Sequence, residues 1–403
     1  MTRRARPGPS RLLLLATVLV VAANLRPAIT AVGPLIERIG AETGMSAAAL
    51  GVLGAAPVFT FALVSPFVHV LGQRWGMERA ILIALLVLAA GTVVRSAPGV
   101  PYSLYAGTVL LAAAIGVINV LVPIIVKRDF PDRVPMMTAA YTASLTAVAA
   151  VASGVAVPLA DAVGWQLALA STALLALIAA GLWSTRLTSR HGPAAAPPEP
   201  VSGPAPADRS VWTSRLAWQV TLYFGFQSSI FYFLLTWMAS IHTFHGFSER
   251  SAGYSVAAYQ AVGIIATLVV GRIMQRRQDH RSVAVGLGVA MAVGVLGMIT
   301  FPAVMPVWAV TCGLASTATL MLSLTMISLR AGSAKQAAQL SGMAQGLGYI
   351  IGGVLPVLAG NLFEVTGSWV PPLLAALVVI VIYTSVGWFS GRNVQIQPAA
   401  TPN

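Results

Sequence analysis

The 403 residues are 57% apolar and 9% charged, with a formal net charge of +13 and a mean hydropathy of +0.82; soluble domains carry roughly 25% charged residues, so a soluble single-domain enzyme is excluded. The basic residues are spread between apolar segments instead of gathered on one face, which argues against a nucleic-acid partner. A single cysteine, Cys312, leaves no intrachain disulfide and no cysteine-based metal set.

Apolar runs long enough to cross about 30 Å of hydrocarbon at about 1.5 Å per residue fall into two groups of six. In chain order they occupy 11–36, 46–71, 80–97, 103–126, 134–160 and 165–185, then 216–241, 250–271, 282–302, 306–329, 337–363 and 370–390. The expected fold is therefore an all-α membrane protein, with twelve transmembrane helices in two six-helix bundles spanning 11–185 and 216–391. Residues 1–10 and 392–403 form tails. The join, 186–215, carries Gly192, Pro193, Pro197, Pro198 and Pro200, which suit a flexible linker and not a regular element. A basic loop follows the second span (Gly72 to Arg79) and again the eighth (Gly271 to Arg277), an echo between the halves. Arg3, Arg4, Arg6 and Arg11 ahead of Leu12 also suit a secretory leader, but the apolar pattern resumes at Ala28 to Ile36 and the segment is read as a retained helix.

With both termini in the cytoplasm, 20 of the 24 Lys and Arg fall on that side, leaving Arg38, Arg95 and Arg250 outside and Arg26 within the membrane. This is the positive-inside pattern. Eight of the nine tryptophans sit near span ends, as rings at headgroup depth do.

Arg26 is the one charge placed well inside a span, about 22 Å along its helix, where a guanidinium costs about 2.5 to 3.5 kcal/mol on insertion scales. Two roles fit it. It is a fork of donors for a small anion or an electron-rich nitro or carbonyl group, or it is a structural arginine bonded to carbonyls of a helix kinked at Pro27. All eleven acidic residues map to loops or span ends, so no buried carboxylate neutralises Arg26, and the usual proton carrier is missing too. His69, near the end of the second span, is the one intramembrane histidine and is read as an interfacial side chain. His191, His242, His245 and His280 are placed in loops, without a convincing metal set.

The third, sixth, ninth and twelfth spans are poor in polar side chains and look peripheral. The others carry amides and phenols at mid-depth: Asn119, Gln227, Tyr232, Tyr259, Gln260, Gln345 and Tyr349. Such groups face a cavity or one another, since lipid offers no partner. Gly342, Gly346, Gly348, Gly352, Gly353, Pro356 and Gly360 make the eleventh span smooth and breakable; Gly346, Gly348 and Pro356 are candidates for a gate, with close small-residue packing as the alternative.

Asn24-Leu25-Arg26-Pro27 with Thr30 and Val32-Gly33-Pro34-Leu35, Gly116 with Pro123, Lys127 and Phe130, and Gln345-Gly346-Leu347-Gly348-Tyr349-Ile350-Ile351 with Gly353 and Pro356 resemble the major facilitator superfamily, in its branch named for cyanate and 2-nitroimidazole transporters. The resemblance covers most of the chain. It implies two six-helix bundles rocking about a central site lined by helices 1, 4, 7 and 10 and by parts of 2, 5, 8 and 11. It also makes Gly72, Arg74 and Arg79 candidates for gating, although the Asp usual in that loop is missing here. Gly154 and Pro158 are separated by three residues instead of forming the Gly-Pro pair of drug antiporters.

The expected function is a secondary transporter of the plasma membrane for a small anionic or polar planar solute. Arg26 would be the anchor, and Thr30, Asn119, Gln227, Tyr232, Gln345, Tyr349 and, more weakly, Tyr259 and Gln260 would orient the solute. An exporter of uncharged drugs or nitro compounds is the alternative; an enzyme or receptor is disfavoured by the lack of a nucleophile and base pair, a phosphate loop or a soluble domain. The expected partners are the solute, the bilayer and a proton, either free or carried by the substrate. A monomer is expected, with no cofactor, metal or nucleic acid.

Overall fold

In lipid every backbone N–H and C=O must be satisfied within its own segment, so long runs of Leu, Ile, Val and Ala become helices. The computed structural model describes residues 11–97, 101–188 and 210–396; the N-terminal tail, most of the join and the end of the C-terminal tail lie outside them. Among the described residues eleven helices are long and apolar enough to span a membrane: Leu12–Thr43, Ala47–Phe67, Met77–Arg95, Tyr102–Asp129, Met136–Ala170, Arg215–Phe244, Glu249–Met274, Arg281–Thr300, Pro302–Arg330, Gln336–Thr366 and Val370–Ser390. A shorter apolar helix, Thr172–Leu187, lies between the fifth and the seventh. The helical segment Val134–Ala170 is two helices that meet at Gly164, whose φ of +84° is left-handed, a conformation glycine adopts without a Cβ penalty. Residues from Trp165 onward therefore belong with the sixth span.

The first span is not a single rod. Helix Arg11–Ala22 ends before Asn24, Pro27 opens a single turn to Thr30, Gly33–Leu35 is a 3-10 turn, and Ile36–Thr43 completes the crossing. Pro27 and Pro34 lack the N–H an unbroken helix needs and crowd the turn before them. The break places Arg26 at the mouth of the short turn and leaves carbonyls there in need of donors.

One hydrophobic core, from Val18 to Trp183, lies within the first half of the chain. A second joins Leu35, Ile36, Ile39, Leu50 and Leu53 of the first half to Leu234, Leu235, Trp237 and Met238 of the second. The halves are thus fused at the end remote from the start of the first helix and the finish of the last, here called the far side; the opposite end is the terminus side. Glycines allow the close approach. A Cβ on Gly51 would lie 2.7 Å from the Pro356 carbonyl oxygen, and one on Gly33 or Gly360 would collide with the carbonyl oxygens of Leu235 and Ala47. At Gly342 and Gly346, toward the terminus side, a Cβ would meet nothing within 4 Å.

Burial corrects several expectations. Arg186, placed at the start of the linker, is in the helix Thr172–Thr188 and fully buried; its Nη1 is 2.6 Å from Asp129 Oδ2, Nε donates to Thr17 and Nη2 to the Leu14 carbonyl. Trp165, Trp183, Trp237 and Trp369 are core residues and not a lipid-facing belt, with three of their indole N–H groups donating to Glu42, the Glu78 carbonyl and the Pro356 carbonyl. His242, expected in a loop, is buried at the end of the seventh helix, its Nδ1 2.7 Å from the Met238 carbonyl oxygen. Arg186→Ala takes one of two cationic partners from the buried Asp129, leaving Arg128, a loss of about 1.5 to 3 kcal/mol; the melting temperature in detergent is expected to fall by a few degrees, and an unchanged value excludes this pair as a strut of the first half.

Candidate functional site

The break in the first span delivers Arg26 into a cavity of about 110 Å3. Arg26, Thr30, Asn119, Tyr232 and Tyr349 line it together with Leu25, Ile29, Phe61, Leu145, Phe231 and Leu235. Both halves contribute: the first, second, fourth and fifth spans face the seventh and eleventh. Among the described residues Arg26 has no hydrogen bond and no ion pair; its guanidinium carbon lies 5.2 Å from the centre of the Phe231 ring. A cation over an aromatic face gains about 0.5 to 2 kcal/mol, which holds the side chain in place while its donors stay available. Tyr349 packs edge-on against Phe61 and Phe224, with ring centres 5.7 and 5.3 Å apart, and Phe231 against Tyr232 at 5.0 Å. The site combines a cation, an amide, two phenols and a wall of rings, a set suited to gripping a flat solute at an electron-rich end.

Thr30 has a second task. Its hydroxyl donates to the Ala149 carbonyl at 3.2 Å, Ser153 donates back to the Thr30 carbonyl at 3.1 Å, and Gln260 donates to Ser153 Oγ at 2.7 Å and to the Ala149 carbonyl at 3.3 Å. This small network ties the broken first span to the fifth and eighth. Gln260 is therefore placed between the halves and outside the cavity lining. Three other candidates also lie outside the lining, bonded within the second half: Tyr259 donates to Ser316, Gln227 to Ser228 and Gln345 to Ser341, each at 2.9 Å. The carbonyl-binding role open to Arg26 is filled by Arg95. Expected outside the membrane, Arg95 is 1% exposed, and its Nη1 donates to the Ala28 carbonyl in the short turn at 2.5 Å.

On the terminus side Arg74 and Arg79 are exposed, and a Cβ on Gly72 would touch Leu121 at 3.4 Å. The acidic partners there are Glu78 and Asp129: Arg128 pairs with Glu78 at 2.5 Å and with Asp129 at 2.8 Å, and Asp129 in turn with Arg186. All four lie in the first half. In the eleventh span a Cβ on Gly348 would sit 2.6 Å from the Phe224 ring, and Gly346 is open. Pro356 accepts from Trp237 at 2.9 Å. The side chain of His69 lies outside the described residues, and burial beside Arg330 holds His280 below the ordinary imidazole range. Among the described residues no three His, Cys, Asp or Glu side chains come together as a metal set.

A belt of charges closing the far side was missed. Arg38 pairs with Asp161 at 2.7 Å and also with Glu249, Arg250 pairs with Asp161 at 2.7 Å, Thr243 donates to Glu37 at 2.8 Å, and the Ala48 N–H donates to Glu364 at 2.9 Å. All but the first join the two halves. The signal was present: acids and bases of opposite sign at the far ends of the first, fifth and eighth spans, in loops otherwise poor in charge. Asp161→Asn loosens two of these pairs; partly exposed pairs are individually weak, so the population with the far side open should rise only about two- to tenfold. Spin-label distances across the far ends of the second and eleventh spans would measure it, and an unmoved distribution removes the belt from the gate.

Comparison with known proteins agrees with this fold. The chain is 36% identical over 391 residues to the 2-nitroimidazole transporter of Escherichia coli (strain K12), covering 97% of this chain and 98% of that protein. It is 28% identical to the cyanate transport protein CynX of the same organism, over 88% of this chain and 91% of that one. A bacterial homolog of the human lysosomal transporter Spinster, solved in an inward-facing and unoccupied conformation, superposes with a TM-score of 0.77 at 16% identity, covering 97% of this chain and 100% of that one. Residues 18–353 match the model of the Major Facilitator Superfamily. This chain is a multi-pass membrane protein, a transporter and not an enzyme, and it belongs to the Major Facilitator Superfamily.

Proposed function

We propose that this transporter carries a small anionic or polar planar solute by alternating access, with Arg26 as its anchor. The observation that carries the reading is a guanidinium that has, among the described residues, no acid or carbonyl partner, in a cavity shared by both halves. Asn119, Tyr232 and Tyr349 orient the solute, and Thr30 positions the break from which Arg26 projects. Gln227, Tyr259, Gln260 and Gln345 act through the helices that carry them. The far-side belt and the glycines of the second and eleventh spans, with Gly348 and Pro356, form one gate; Gly72, Arg74, Arg79 and Gly346 belong to the other, on the terminus side.

The Lys and Arg bias puts the terminus side in the cytoplasm, and the bacterial relatives support the plasma membrane. One chain supplies the whole cavity, so a monomer suffices. With no carboxylate or imidazole in the cavity lining, the coupling proton, where there is one, travels on the substrate. Relatives named for 2-nitroimidazole and for cyanate share a flat, electron-rich end, which fits this chemistry.

The test is thermal stabilisation of the purified protein by cyanate, nitrite, nitrate, bicarbonate, short carboxylates and neutral nitroimidazoles, with and without Arg26→Gln. Anions are expected to stabilise the native protein and to lose most of that effect in the variant. The ring-rich wall favours one rival, an exporter of neutral nitro compounds; a nitroimidazole that stabilises both proteins equally, with no anion response, would establish it.

A further inference from the structure

We infer that Arg95 and Thr108 form a second, outer station for the anion, on the far side of Arg26 and separated from it by Ile29 and Leu235. The inference rests on the anion reading of the Arg26 cavity. A small cavity of about 20 Å3, room for one water molecule, is lined by Arg95 and Thr108 with Ile29, Gly33, Leu235 and Thr236. Ile29 and Leu235 line the Arg26 cavity as well, so the two spaces share one pinch of two apolar side chains, one from each half.

Among the described residues the protein uses only one donor nitrogen of Arg95. Nη1 holds the Ala28 carbonyl, while the buried Nε and Nη2, and the buried Thr108 hydroxyl, have no hydrogen-bond partner there. Arginine is protonated at any physiological pH, and a buried guanidinium with two free donors and no carboxylate is strongly disposed to take an anion. The location gives this disposition a use. Gly33 and Thr236 belong to the contact that shuts the far side, Gly33 lying against the Leu235 carbonyl, so withdrawal of the seventh span from the first would enlarge this space from the far side. A solute entering there meets Arg95 first and passes to Arg26 once Ile29 and Leu235 part. Because Arg95 also grips Ala28, two residues from Arg26, occupancy of the outer station acts directly on the turn that aims the inner anchor.

The experiment is a thermal-shift titration with sodium cyanate, nitrate and bicarbonate on the purified full chain. In Arg26→Gln we expect a residual response with an apparent affinity about tenfold weaker than native, and none in Arg26→Gln/Arg95→Gln. Arg26→Gln/Arg95→Lys, which restores the charge, should regain it. Arg26→Gln/Thr108→Val leaves the Ala28 bond intact and should weaken the residual response about threefold; it decides the matter if the Arg95 variants fail to fold. A native response that vanishes entirely with Arg26→Gln overturns the outer station and leaves the anchor standing, and a residual response that survives loss of Arg95 overturns it as well. A response that is unchanged in Arg26→Gln and lost in Arg95→Gln keeps the outer station and removes Arg26 as anchor. Silence of the native protein toward all three anions ends both readings.

Discussion

Arg26→Gln is expected to reduce solute uptake by about hundredfold or more while the amount of folded protein in the membrane stays at the native level. The size follows from what is removed: losing one member of a desolvated, hydrogen-bonded charge pair typically costs about 2 to 5 kcal/mol, and here the other member is the solute. The unchanged abundance follows from the surroundings. Arg26 carries no hydrogen bond or ion pair among the described residues, and the backbone break is set by Pro27 and Pro34, with the Thr30, Ala149 and Ser153 bonds holding it in place. Arg26→Lys keeps the charge and loses the fork, so it should retain a fraction of uptake with a raised KM. Counterflow in proteoliposomes, normalised to protein content, measures both; native uptake in the glutamine variant would make Arg26 a spectator.

Gly33→Val is expected to abolish turnover by another route. The added Cβ would drive into the Leu235 carbonyl, and backbone cannot yield as a flexible side-chain end does. Each half can still fold, since the nearest atoms an added Cβ would meet, the Leu235 and Thr236 backbone, belong to the other half, but the far side cannot shut. The protein should therefore accumulate with the far side open: folded, able to bind solute added from that side, and unable to complete a cycle. Gly107→Ala provides the contrast. Its Cβ would strike the Arg95 backbone within the first half, so that variant should lose thermal stability. Spin-label distances across the far side, with melting temperatures, separate the two; if Gly33→Val shows native distances and native exchange, the first and seventh spans do not close the gate.

The fold was legible because lipid leaves few options: twelve apolar runs and a Pro- and Gly-rich join prescribe helices and their order. The tightest join, between the fifth and sixth spans, turns at the left-handed Gly164, inside the expected gap between residues 160 and 165. The centre of the site was legible for the same reason, since a charge at mid-depth must be explained; Arg26, Thr30, Asn119, Tyr232 and Tyr349 do share a cavity. What sequence position could not supply was azimuth. Gln260 and Tyr259 are adjacent on one helix, yet one reaches across to the first half and the other toward the tenth helix. Arg95 was read from its place at the end of a span, where water is the default neighbour, and only packing against the short turn reveals it as buried. The far-side belt needed knowledge of which loops meet.

The cavity is unequal in what its two walls supply. Arg26, Asn119 and Thr30 come from the first half with a single ring, Phe61, whereas three rings, Phe231, Tyr232 and Tyr349, come from the second. Preference for charge and preference for outline are therefore written largely on separate halves of the gene product. Substitutions among the three rings can widen or narrow the range of acceptable solutes while the demand for an electron-rich end is untouched. Descendants of such a protein can diversify their cargo one wall at a time.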